Sequence, residues 1–378
     1  MEARTLPEAL MKIMEEHGWT QLDLAHELGV SQSWISEVSR GRKDTGMAKA
    51  IALLARVGWE VRISPKAEDP VKRREFLTAA ASVIFLPSAR TNPYQDPQYV
   101  GTLTATMARN RYELGGIPLA SSALGHMQRM EHVLAGGGDR LLQAASSRLV
   151  EQVTLVLYDA GRLPQAERAG RVTLDLATRA EDHEGRARAY ETLSRVVLEA
   201  GDHARSVAYA QQGLKVPELG TEQRATLHMR LGRALASVPG NETASRDALD
   251  RALNTGALSP FGEAALLGDV AIGLGALRVY REAADMLDTA AEAIGQWSPL
   301  FRAQFLGRQV LTALRASDAS LASERMHELA RALPFVASAR VNKRAEEILR
   351  ASFDWQKVPE LRQAREHVGA MLVPGNQT

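Results

Sequence analysis

The sequence predicts an all-α protein in two parts, a small helical N-terminal domain followed by a long array of repeated helical hairpins. Three observations carry this prediction. Ala, Leu, Arg and Glu are abundant while aromatics make up only 5% of 378 residues, and the straight or small side chains among them lose little rotamer freedom in a helix. Residues 21–40 read "QLDLAHELGVSQSWISEVSR", with apolar positions at helical spacing on both sides of a single glycine. From about residue 98 onward, one helical skeleton returns roughly every 40 residues.

Composition narrows the function before any motif is read. Apolar residues are 45% and charged residues 24% of the chain, ordinary values for a globular protein. No apolar run approaches the roughly 18 residues needed to cross a bilayer. The absence of cysteine excludes disulfides and thiolate metal sites and makes the reducing cytoplasm the expected setting. A formal net charge of +1 supplies no general attraction to nucleic acid or membrane, so any such attraction must be local.

Within the N-terminal segment, Leu22, Leu24, Ala25 and Leu28 follow helical spacing, and Gly29 ends that helix. A second helix then carries Ile35 and Val38 inward. Gly29 suits the left-handed backbone of a tight inter-helix turn. Ala25 is small where two helices must cross, and Thr20 and Ser31 are placed to cap helix starts through their side-chain oxygens. A preceding helix is expected over Leu6–His17 and a later one over 47–57.

This segment resembles the helix-turn-helix of the phage-repressor type, the Cro/C1 or XRE class. The resemblance covers about residues 5–58 of a five-helix-type DNA-binding domain set at 1–66. It implies that the second helix enters the major groove N-terminus first. Gln32, Ser33, Ser36 and Glu37 are then the outward candidates for base contact, with Ser31 and Trp34 completing the expected interface. Gln32 can bond adenine through two hydrogen bonds, and Glu37 can accept from a cytosine amino group. The resemblance further pairs Gln21 with Gln32, one glutamine on a phosphate and the other on an adenine edge. Arg40, Arg42 and Lys43 form a basic loop suited to phosphates, which position a domain without reading sequence. Residues 1–66 hold nine Lys/Arg and nine Asp/Glu, so one copy should bind DNA weakly. Regulators of this class overcome such weakness by dimerising on paired half-sites, and a homodimer is expected here.

Residues 58–64, "GWEVRIS", alternate apolar and polar side chains as a strand does. The expected roles are pairing with the same segment of a second chain or an extended lead into the linker. Residues 67–97 are assigned to a linker and connecting helix. The stretch "VKRREFLTAAASVIFLPSA" at 71–89 resembles a twin-arginine export signal, but seventy residues precede it, and a signal sits behind a short charged N-terminal region. The polar, proline-bearing part reads as a hinge, with Lys72, Arg73 and Arg74 either solvated or touching DNA backbone. "LTAAASVIFLP" reads as an apolar helix.

In the C-terminal part, "RLVEQVTLVLYDAGRLPQAERAGRVTLDLA" and "RAYETLSRVVLEAGDHARSVAYAQQGLKV" align, with Gly161 on Gly201, Ala166 on Ser206 and Leu174 on Leu214. Looser copies follow around Leu231 and Gly232, after residue 269, and over 306–333. These resemble degenerate tetratricopeptide repeats over 98–373, ahead of a short tail at 374–378. The resemblance implies an α-solenoid with a concave inner face. In that register Arg148, Glu151, Leu155 and Tyr158, then Arg188, Glu191, Arg195 and Leu198, then Met229 and Arg233 line the groove. Arginines so placed suit carboxylates, and i,i+4 pairing on a solvated face is the alternative for each.

Other signals fail. His126 and His132 lie on different faces of one helix, "AGGGDR" at 135–140 lacks the Lys-Ser/Thr of a phosphate loop, and "GLG" at 273–275 sits inside an apolar helix. No metal, cofactor, membrane partner or enzymatic constellation is expected. A repressor-type reader joined to such an array resembles the bacterial receptors for signalling peptides. That resemblance implies a cytoplasmic regulator binding a double-stranded DNA operator, with a short peptide or small effector in the groove. The chain is poor in the inner-helix asparagines with which that family often clamps peptide backbone. A ligand-independent dimeric regulator, or one controlled by a partner protein in the groove, therefore stays open.

Overall fold

In the computed structural model the chain divides into two units, Met1–Gln95 and Asp96–Thr378. Residues 5–40, 42, 50, 53, 54, 57, 59–64, 82–87 and 92–372 are described. The first unit opens with α1 (Leu6–His17), α2 (Gln21–Leu28) and α3 (Gln32–Ser39). Side chains fix each start. The Thr5 oxygen accepts from the Glu8 amide. Thr20 and Asp23 cap each other reciprocally at the head of α2, and Ser31 accepts from the Trp34 amide at 3.2 Å. Gly29 ends α2 at φ 65°, ψ 38°, a region that costs other residues about 1–2 kcal/mol.

Leu10, Ile13, Leu24, Ala25, Leu28, Ile35 and Val38 close around one core, joined by Trp34, Leu53, Leu54 and Trp59. Leu22 is outside it, 61% exposed, because it falls on the face of α2 opposite Leu24 and Leu28. Of the helix expected over 47–57, Ala50, Leu53 and Leu54 are helical and buried; Lys43 and most of that stretch lie outside the described residues.

The alternating segment is a strand, β1 (Trp59–Ser64), and it finds its partner within the same chain. β2 (Ser82–Pro87) pairs with it antiparallel, from Trp59 opposite Pro87 to Ser64 opposite Ser82. An unpaired lead into the linker does not describe it, and residues 82–87 of the expected apolar helix are extended. The physical reason is the run "SVIFLP", whose β-branched and aromatic side chains fit a pleated surface better than a helix. Lys72, Arg73 and Arg74 lie outside the described residues.

The second unit opens with α4 (Pro97–Leu114) and α5 (Ala120–Ala135) and goes on as paired helices: α6 (Arg140–Asp159) with α7 (Leu163–Arg179), α8 (His183–Glu199) with α9 (His203–Leu214), and α10 (Thr221–Leu235) with α11 (Glu242–Leu253). α4 packs on α6 rather than on the α5 that follows it. The pairs continue as α12 (Pro260–Ala276) with α13 (Tyr280–Ile294), α14 (Pro299–Arg315) with α15 (Ala319–Ala332), and α16 (Ala339–Ala351) with α17 (Pro359–Met371). Small residues set the helix spacing. A Cβ on Gly170 would lie 2.8 Å from a Leu193 methyl, and one on Gly232 2.6 Å from a Leu249 methyl. Dry clusters then run from pair to pair, the largest gathering Val310, Leu314, Met326, Leu329, Ile348 and Leu361.

The array curves back on itself. α4 packs against both α6 and α14, with Tyr112 among Phe261 and Phe301 and its carbonyl accepting from the Ser298 hydroxyl at 3.0 Å. Beside this seam the turn after α4 exchanges two backbone hydrogen bonds with the turn before α16, Ala337 N–H to Leu114 C=O at 2.8 Å and Ile117 N–H to Ala337 C=O at 3.1 Å. Buried Asp159 joins them, accepting from the Gly116 amide and the Ser338 hydroxyl, each at 2.6 Å.

Candidate functional site

The exposed face of the first unit is built by α3. Ser31 fixes where the helix begins, and Ile35 and Val38 hold its inner side in the core, so Gln32, Ser33 and Glu37 are left exposed and Ser36 half-buried. Gln21 is half-buried at the head of α2, while Arg40 and Arg42 are exposed at the end of α3. The Arg42 amide bonds the Glu37 carbonyl at 2.9 Å, which orders the backbone on which this basic pair is carried. Trp34 is the correction. It is 6% exposed and belongs to the core, because it shares the inward face of α3 with Ile35 and Val38. Ser31 spends its oxygen on the helix cap and on Ser33, 3.0 Å away. The arrangement offers amide, hydroxyl and carboxylate groups along the exposed side of one short helix, with two guanidiniums beyond its C-terminal end. Those are the chemistries that read base edges and grip phosphates.

On the inner side of the repeat array, the expected groove residues Glu151, Arg188, Glu191, Arg195 and Arg233 are held in ion pairs, among themselves or with Arg230 and Asp269. Glu151 accepts from Arg188 at 3.1 Å. Glu191 accepts from Arg195 at 2.7 Å and from Arg230 at 2.6 Å. Asp269 accepts from Arg230 at 2.7 Å and Arg233 at 2.6 Å. This ladder crosses α6, α8, α10 and α12. Burial pushes the Glu151 carboxyl up despite Arg188. At Glu191 burial works in the same direction but is outweighed by Arg195 and Arg230, so its carboxyl is held low; Arg230, Arg233 and Arg195 likewise hold Asp269 low against its burial.

Arg148 is exposed, Leu155 buried and Leu198 half-buried. Tyr158 is buried beneath the Arg340 guanidinium, 4.2 Å from its ring centre. Met229, 2% exposed, is not a wall residue; it packs with Ala225, Leu249 and Leu266, since the side of α10 that bears it faces α11 and α12. Sequence reasoning missed Arg230 and Asp269. Their signal was present: Glu191, Arg230 and Asp269 stand 39 residues apart in turn, the repeat period itself, so charges of alternating sign meet from helix to helix.

Where α8, α10, α12 and α14 end, the wall opens into a cavity of about 490 Å³ lined by Glu199, His203, Arg233, Arg278, Arg308 and Arg315 among others. Glu199 is bonded to Lys343 at 2.9 Å. Among the described residues no group of three or more His, Asp or Glu is placed to hold a metal ion, and no helix is long and apolar enough to cross a membrane.

Comparison with known proteins gives both units a family likeness. Residues 10–58 match the helix-turn-helix family and residues 137–218 match the tetratricopeptide repeat family. No curated protein sequence matches the chain. Among solved structures, the Rap protein complexed with competence and sporulation factor is similar over 97% of this chain and 98% of its own, at 11% identity and a TM-score of 0.51. An array of nearly identical tetratricopeptide-like repeats from Podosopora anserina aligns with 52% of this chain and all of its own, at 16% identity and TM-score 0.40. PlcR of Bacillus thuringiensis, in complex with the peptide PapR7 and DNA, aligns over 97% of this chain and 99% of its own, at 11% identity and TM-score 0.33. The protein thus carries an XRE-type helix-turn-helix domain at its N-terminus and a tetratricopeptide-repeat solenoid behind it.

Proposed function

We propose that this protein is a sequence-specific transcription regulator of the cytoplasm. It binds a two-fold operator as a homodimer, and its repeat domain senses a short peptide or another small effector. The observation that carries the reading is α3, a capped helix held by the core on one side and presenting Gln32, Ser33 and Glu37 on the other. The balanced charge of residues 1–66 argues for two readers acting together, because few net phosphate contacts leave a single domain weakly bound. The Rap protein, whose fold this chain shares, was solved with competence and sporulation factor bound, which supports a sensing role for the array.

The test is selection from random-sequence duplex DNA by the full chain, with the retained fraction sequenced. The expected product is an inverted repeat whose half-sites lie about one helical turn, 34–36 Å, apart or a multiple of it. Retained DNA with no enriched sequence rejects the reading. A monomer by light scattering, both free and on that DNA, rejects the dimer.

A further inference from the structure

The cavity at the ends of α8, α10, α12 and α14 holds more positive charge than its walls neutralise. Elsewhere on the inner face the pattern is pairing: Arg188 lies on Glu151, Arg195 on Glu191, and Arg230 on Glu191 and Asp269. In the cavity Arg233 is already bonded to Asp269, and Glu199 to Lys343. The guanidiniums of Arg278, Arg308 and Arg315 line the same space and make no hydrogen bond or ion pair with the other described residues. The negative ends of the helices attract Arg278 and Arg315, which stand at a turn and at a last helical residue. That attraction fades within one turn, and Arg308 lies about two turns up α14. Burial, then Arg344 and Arg233, hold the Arg308 guanidinium well below the ordinary arginine range. His203 also lines the cavity, and its Nδ1 is buried without a hydrogen-bond partner.

We propose that this cavity is the effector site of the repeat domain and takes a compact dianionic group, either a phosphate or the paired carboxylates of a peptide ending in an acidic residue. The inference rests on reading the array as the sensing part of the protein. A phosphate carries about −1.5 to −2 charge at neutral pH and three acceptor oxygens, and guanidiniums engage phosphate and carboxylate alike through two parallel hydrogen bonds. A single carboxylate would leave Arg308 and its neighbours in excess. The volume of about 490 Å³ falls in the range of small-ligand sites, about 300–1,000 Å³.

The test is calorimetric melting of the full chain with sodium phosphate in one arm and the free-acid tripeptide Ala-Ala-Glu in the other, each against sodium chloride at matched ionic strength. A saturable rise in melting temperature is expected in one arm, as mass action requires of a ligand selective for the folded state, and the arm that responds names the source of the charge. Arg308→Gln should weaken binding at least tenfold yet melt no lower than wild type without ligand, since a like-charge repulsion is removed. Arg315→Gln, at an exposed position, should weaken binding several-fold, and Arg362→Gln on α17 should leave it unchanged. No saturable rise in either arm, or full affinity in both cavity variants, overturns the assignment. Operator binding is measured in parallel: if it persists while anion binding is absent, the cavity is wrong and the regulator reading stands.

Discussion

Gln32 owes its expected role to the residue before it. With Ser31 capping α3, the first side chain of the helix is exposed and its direction is set by the backbone. Gln32→Ala should lower affinity for the operator by about 1–3 kcal/mol per half-site and leave random DNA unaffected. Arg42→Ala should weaken both alike and reduce the salt slope by about one; titrations at two salt concentrations check the pair. Trp34→Ala should instead cost about 3–5 kcal/mol of domain stability, so its DNA affinity falls only as far as the domain unfolds, which a melt would show. His126 on α5 is a different kind of residue. Burial, with Arg129 nearby, pushes its pKa down from 6.5 to about 4. The unfolded chain therefore binds more protons between those values, and stability falls as pH drops from about 6.5 toward 4. At about 1.4 kcal/mol per unit the loss approaches 3 kcal/mol, and His126→Gln should flatten that part of the pH–stability curve.

At the scale of elements, the turns between paired helices explain why only two repeats were plain in the sequence. Gly161 and Gly201 hold left-handed backbone at φ 75° and 85°, two residues past the ends of α6 and α8. Arg278 and Ser317 stand at the same place after α12 and α14, at φ 65° and 60°. The hydrogen bonds match: Gly161 to Tyr158, Gly201 to Leu198, Arg278 to Gly275 and Ser317 to Leu314, all between 3.0 and 3.2 Å. The geometry persists where the glycine does not, at a cost to the backbone. Ser317→Gly should relieve it and raise stability by about 1 kcal/mol, measurable by urea titration. Gly268 works in the opposite direction, because a Cβ there would run into the Phe305 ring; Gly268→Val should cost about 1–3 kcal/mol by overpacking.

Across the repeat domain, the closure of the curve hangs on Asp159, 1% exposed. It ties the turn after α4, α14 through Gln304 at 3.3 Å, and the start of α16. Asp159→Ala leaves the Gly116 amide and the Ser338 hydroxyl unpaired, at about 1–3 kcal/mol each. The expected result is a less stable array with a larger radius of gyration by solution scattering. An unchanged radius would show that the apolar seam around Tyr112 closes the curve alone.

The sequence by itself determined the helices of both units, though not the strand at 82–87. Thr20, Gly29 and Ser31 marked the helix-turn-helix, and the period near 40 residues marked the solenoid, because caps, turns and apolar periodicity act over a few residues and are written in order along the chain. Tertiary structure alone decided what those elements meet. Whether Trp34 or Met229 faces solvent depends on which neighbour covers one side of its helix. Whether 59–64 pairs with its own chain depends on a segment some twenty residues away, and whether Arg233 is available depends on a carboxylate one repeat removed. The surplus charge around Arg308 becomes visible only when four helix ends converge, since pairing is a property of distance in space and no local pattern records it.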